Sequence, residues 1–118
     1  MENNKRACFA LVAATLINNI EYKSVFDYQQ GKRLSVSSSN ISSDTPRYYD
    51  YNRKAPVSGT RQRLYDYATS SYVSIRINGN KVNCYDYETS AYINFTVNGS
   101  NVVAYDYENS SYFNYNVN

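Results

Sequence analysis

Five aspartates recur in one setting along this 118-residue chain: Phe26-Asp27-Tyr28, Tyr49-Asp50-Tyr51, Tyr65-Asp66-Tyr67, Tyr85-Asp86-Tyr87 and Tyr105-Asp106-Tyr107. A carboxylate repeated at one structural position could ligate calcium or hold sugar hydroxyls, once per repeat. Calcium needs about six to eight oxygens, and no local run of this sequence supplies them. An Asp placed where a strand enters a turn has a simpler use. It accepts backbone N–H bonds from residues just beyond it, here Thr89, Ser90 and their equivalents. On that reading the aspartates shape turns, and neither a metal site nor a cofactor is expected.

The rest of the composition narrows the chemistry further. There is no histidine, which removes the commonest general base and metal ligand together with every Ser-His or Cys-His nucleophile. No phosphate-binding glycine loop or CxxC motif occurs. The two cysteines, Cys8 and Cys84, make neither a disulfide framework nor a zinc set, and Cys84 shares its repeat slot with Leu64 and Ala104, a small apolar position. The chain reads as non-enzymatic. Its 15 tyrosines are the remaining candidates for function. Tyr67, Tyr72, Tyr85, Tyr87, Tyr92, Tyr105, Tyr107 and Tyr112 fall into a row that could stack on sugar rings, on nucleobases or on another sheet.

The elements that must position these residues follow from the period. Asp66, Asp86 and Asp106 are twenty residues apart, and Asn78-Gly79 matches Asn98-Gly99. A fixed short period marks one supersecondary unit copied along the chain. Tyr92-Ile93-Asn94-Phe95-Thr96-Val97 alternates in the period-2 pattern of a half-buried strand. Asn98-Gly99 reads as a type I′ turn and Val102 to Tyr107 as the returning strand. Glu88 to Ala91 then leads to the next copy. Ile93, Phe95, Val97, Val102 and Ala104 share one face, as do Val73, Ile75, Ile77, Val82 and Cys84, while the tyrosines line the other. The fold expected is all-β, an antiparallel meander of tandem hairpins forming a twisted sheet, roll or barrel, in one domain over residues 1–118. Ser37 to Arg47 reads as the main irregular loop, and the connection holding Pro56 as a shortened one.

The run Phe26-Asp27-Tyr28-Gln29-Gln30-Gly31-Lys32-Arg33-Leu34-Ser35-Val36, followed by further Tyr-Asp triplets, resembles the YD-repeat (RHS-type) β-strand repeats. That resemblance implies a β-repeat scaffold of a secreted or surface protein. This chain departs from the pattern in placing the glycine four residues after the Asp and in using Ser there in later copies.

The two ends carry separate expectations. Residues 1–17 fit either a short secretory signal or an N-terminal helix or strand; apolar residues at 9, 12, 13, 16, 17 and 20 have helical spacing, with Asn3 or Asn4 as cap and Asn18-Asn19 as terminator. Localisation is accordingly secreted, cell-surface or cytoplasmic. No apolar run is long enough to span a membrane as a helix. The last copy is half a hairpin, so Phe113, Asn114, Tyr115, Asn116 and Val117 either pair with an N-terminal strand to close a barrel or roll, or form an edge strand, without the charges or prolines that blunt edges, open to a neighbouring copy. That makes self-association through this edge and the tyrosine face the first expectation for function. Carbohydrate binding by the tyrosine ladder is the second. Residues 1–63 hold ten Lys/Arg against five Asp/Glu, and residues 64–118 hold two against five. Because the regular half is net negative, nucleic acid is not expected as a partner.

Overall fold

The hairpin unit forms as the period indicates, and five of them close a ring. The computed structural model describes residues 1–118. Its elements are α1 (Asn3–Asn18), β1 (Ser24–Asp27), β2 (Lys32–Ser39), β3 (Arg47–Asp50), β4 (Ala55–Thr60), β5 (Arg63–Asp66), β6 (Ser71–Asn78), β7 (Lys81–Asp86), β8 (Ala91–Asn98), β9 (Asn101–Asp106) and β10 (Ser111–Val117). Each strand runs antiparallel to its sequence neighbour, and β10 returns to β1, giving a closed ten-stranded barrel.

Closure corrects the expectation of an open edge at Phe113 to Val117. One side of β10 pairs with β9 and the other with β1, with Tyr115 opposite Asp27, Asn116 opposite Phe26 and Val117 opposite Val25. The Asn118 carbonyl accepts from the N–H groups of Lys23 at 2.8 Å and Ser24 at 3.0 Å. Ten twisted, tilted strands suffice to bring the last beside the first, and a closed barrel has no edge to offer. Tyr115 and Val117 point inward and are buried.

A ten-stranded barrel has a lumen too wide for strand side chains alone to fill. Helix α1 occupies it. Every residue from Lys5 to Leu16 is buried, so the helix is enclosed on all sides rather than laid by one apolar face against a sheet. A helix with its side chains is about 10–12 Å across; Ala7, Ala10, Ala13 and Ala14 slim it to fit. The cap is Glu2, whose side chain accepts from the Lys5 N–H, rather than Asn3 or Asn4, and Asn19 ends the helix at φ 54° as the sequence indicates.

The strand faces sort as the alternation requires. Val73, Ile75, Val82, Cys84, Ile93, Phe95, Val97, Val102 and Ala104 all join the core around the helix. Ile77 is the exception, 42% exposed at a hairpin tip. Its counterpart Val97 is covered, and there the helix end is tied to the hairpin by a bond from Asn18 Nδ2 to the Gly99 carbonyl at 2.8 Å.

Three local expectations shift. Asn98 pairs with Asn101, which makes Gly99-Ser100 the two-residue loop, and Gly99 alone has positive φ. That is the II′ pattern, with Gly at the first central position, in place of I′. The irregular loop is shorter than residues 37–47, because Ser37 to Ser39 continue β2 and pair with β3. The Pro56 segment is a complete hairpin, β4 and β5, with Pro56 opposite Tyr49.

Candidate functional site

The Tyr-Asp-Tyr triplets end β1, β3, β5, β7 and β9, so all five aspartates arrive at one end of the barrel. Alternation then sends neighbours to opposite sides of the wall. The aspartates point inward and are 0–1% exposed. Each shapes its turn: the N–H three residues on, the slot of Thr89, donates as expected in the first two copies, from Gln30 to Asp27 at 3.1 Å and from Arg53 to Asp50 at 3.3 Å, while Asp86 accepts instead from the Glu88 N–H at 3.1 Å and from Thr89 Oγ1 at 3.2 Å. Asp106 repeats this with the Glu108 N–H at 3.0 Å and Asn109 Nδ2 at 3.2 Å. Ser90 supplies no such bond. Its part is to take the left-handed conformation four residues after the Asp, at φ 55°, as Gly31, Lys54, Ser70 and Ser110 do in the other copies.

The same carboxylates meet cations carried by the helix. Lys5 Nζ lies 2.9 Å from Asp86 and 3.6 Å from Asp66, and Arg6 Nε lies 3.2 Å from Asp106. The Met1 amine is 3.1 Å from Asp106 and also contacts Glu108. Arg53, from the turn after β3, bridges Asp50 at 2.6 Å and Asp66 at 2.7 Å. Asp27 accepts from the side-chain amides of Gln29 at 2.7 Å and Gln30 at 2.6 Å. Carboxylates around the first turn of α1 also suit the positive end of its dipole. This buried hub holds the helix in the barrel; carboxylates so enclosed cannot touch a sugar at the surface.

The tyrosines lie on the opposite, outer side. Tyr67, Tyr72, Tyr87, Tyr92, Tyr107 and Tyr112 are 41–70% exposed, and Tyr85 and Tyr105 are half-buried. They form triads instead of a flat row. Tyr85 packs between Tyr87 and Tyr92 with centroids 4.9 and 4.8 Å away, and Tyr105 between Tyr107 and Tyr112 at 4.8 and 4.7 Å. Tyr65, which the row of candidates omits, does the same between Tyr67 and Tyr72. Ring planes meet at 63–80°, the edge-to-face arrangement that aromatic quadrupoles favour.

Tilted rings leave furrows between neighbouring triads. The first, of about 660 Å³, is walled by Tyr85, Tyr87, Tyr92 and Tyr107 and floored by Ser74, Asn83 and Asn94, with Arg76 at its side. The next, of about 530 Å³, lies between Tyr105, Tyr107 and Tyr112 and includes Asn94, Thr96 and Lys81. A third, of about 330 Å³ across β2 to β5, combines Tyr49 and Tyr67 with Ser37, Ser39, Ser58 and Arg47. Strand alternation in the sequence already sets these polar residues on the tyrosine face. Their signal was register: Ser74, Arg76, Asn83 and Asn94 share the outward parity of Tyr72, Tyr85 and Tyr92.

Two buried thiols complete the inventory of reactive groups. Burial pushes the Cys8 thiol well above its ordinary range and the Cys84 thiol up to about 12, the nearby Asp50 and Asp86 charges adding to each. Neither is poised to act as a nucleophile. Burial likewise raises the Tyr48 phenol to about 12, opposed by its hydrogen bond with Thr15 Oγ1 at 2.7 Å.

No protein-family model, curated protein or solved structure matches this chain. The likeness to YD repeats therefore rests on the residues quoted for it.

Proposed function

We propose that this barrel is a non-enzymatic binding module that takes carbohydrate on its outer wall. The observation that supports this most is the make-up of the furrows: rings stand beside amides and hydroxyls, with Tyr85, Tyr87, Tyr92 and Tyr107 over Asn83, Asn94 and Ser74. Sugars present two kinds of surface, C–H faces that pack on aromatic rings and hydroxyls that need both donors and acceptors. Asn side chains supply both. The furrows recur around the wall, which suits a polymer better than a single small molecule, since linked weak sites gain by avidity.

Self-association through the same tyrosines is the second reading, favoured by the six exposed rings on β5 to β10 and their turns. It no longer includes the last strand, whose backbone is paired on both sides.

A glycan array on the wild type and a Tyr87→Ala/Tyr92→Ala variant tests the first reading. Binding by the wild type that the variant loses is the expected outcome; binding by neither, or equally by both, would overturn it. Sedimentation velocity across a wide concentration range tests the second, which a monomer at every concentration would remove.

A further inference from the structure

The net charge of the regular half conceals the charge of its surface. The only acidic residues in any strand are Asp27, Asp50, Asp66, Asp86 and Asp106, and all five are buried behind the wall. Glu2, Glu21, Asp44, Glu88 and Glu108 are exposed, but they lie in the helix cap, loops and turns. Two of them are directed to the hub, Glu88 to Lys5 and Glu108 to the Met1 amine. The strand wall therefore presents no carboxylate to solvent.

It does present cations. Arg33, Arg47, Arg63, Arg76 and Lys81 are exposed and share the outward parity of the tyrosines, and none forms an ion pair. Each furrow has one: Arg76 in the first, Lys81 in the second, Arg47 in the third. The Arg63 guanidinium carbon stands over the Tyr72 ring, 3.9 Å from its centroid, and 5.8 Å from that of Tyr87. An aromatic furrow with one uncompensated cation and no repelling acid is attractive to an anion with an apolar face.

We propose that the ligand of this wall is an acidic polysaccharide, a uronate- or sulfate-bearing polymer, rather than a neutral one. This rests on the carbohydrate reading and adds the charge of the ligand to it. Arg76 and Lys81 stand on the adjacent strands β6 and β7 of one hairpin, so an acidic residue of a glycan lying across the first two furrows can meet both. The same burial of the aspartates removes the charge argument against nucleic acid. Geometry favours the glycan. The rings of each triad pack edge-to-face on one another instead of side by side as a platform for successive bases, and amides and hydroxyls line the furrow beside its cation.

The test is affinity electrophoresis of the full chain against three probes, hyaluronate, a neutral β-glucan and poly(U), at low and high salt. The wild type is compared with Arg76→Gln/Lys81→Gln, in which two exposed side chains are replaced and unfolding should be unchanged. The expected result is hyaluronate retention that weakens with salt, exceeds retention by the glucan, and falls about tenfold in the variant. Equal retention by hyaluronate and glucan, untouched by the variant, overturns this inference and leaves the carbohydrate reading standing. Preference for poly(U), or retention by none of the three, overturns both.

Discussion

The end of the barrel and its outer wall are built from the same three residues and obey opposite rules. At the end, Asp66, Asp86 and Asp106 are enclosed with Lys5, Arg6 and the Met1 amine. On the wall, the tyrosines flanking those aspartates face water, and the cations among them form no ion pair. One residue of displacement along a strand separates the two regions. Charges in the hub are out of water, so removing one leaves its partner buried and uncompensated. Charges on the wall are solvated, so removing one leaves the fold almost untouched. The region densest in chemistry is thus committed to holding the helix, and the plainer one is free to bind.

Several substitutions would break or sharpen that contrast. The largest effect is expected for Lys5→Ala, which leaves Asp86 buried without its cation while Asp66 keeps Arg53, and should cost about 3–5 kcal/mol in urea unfolding. Leu11→Ala, emptying space at the middle of the lumen, should cost about 2–5 kcal/mol in the same assay and confirm that the helix is core rather than appendage. Arg76→Gln on the wall should stay within about 0.5 kcal/mol. Ser90→Gly relieves the left-handed turn position that Gly31 already occupies, and should raise stability by about 0.5–1 kcal/mol without altering either region.

The contrast also has a pH signature. Burial raises the Cys84 thiol from 9.0 and the Tyr48 phenol from 10.0 to about 12 in the folded state. Folding therefore favours their protonated forms, so stability is full below about pH 9 and declines as pH rises from there toward 12. Thermal unfolding followed across that range should show the loss. Both thiols should also resist a thiol reagent in the folded protein and react on unfolding; fast reaction at neutral pH would contradict the buried core.

Much of the fold was legible because strand alternation and the Asp-to-Asp period are local. Ile93, Phe95 and Val97 declared their face, and Tyr85, Tyr92 and Tyr107 declared the other. What escaped depended on the whole ring. Nothing near Val117 announces Val25 as its neighbour, since that pairing follows from the summed twist of ten strands. The helix was readable as a helix, but an apolar stripe at 9, 12, 13 and 16 gives no warning that a barrel surrounds it. The hub was hidden for the same reason: Lys5 and Asp86 are 81 residues apart, and only enclosure of the helix brings them to 2.9 Å. At the site the rings were visible and the furrows were not, because ring tilt comes from packing of Tyr85 between its two neighbours.

Asp86 and Tyr87 adjoin in the chain and fall on the two sides of the wall, so they give the most direct measurement. Glycan titration, scaled to the folded fraction, should show Asp86→Asn destabilised yet binding as the wild type does, and Tyr87→Ala stable yet weakened in binding. Loss of binding by folded Asp86→Asn, together with undiminished binding by Tyr87→Ala, would contradict the division between hub and wall.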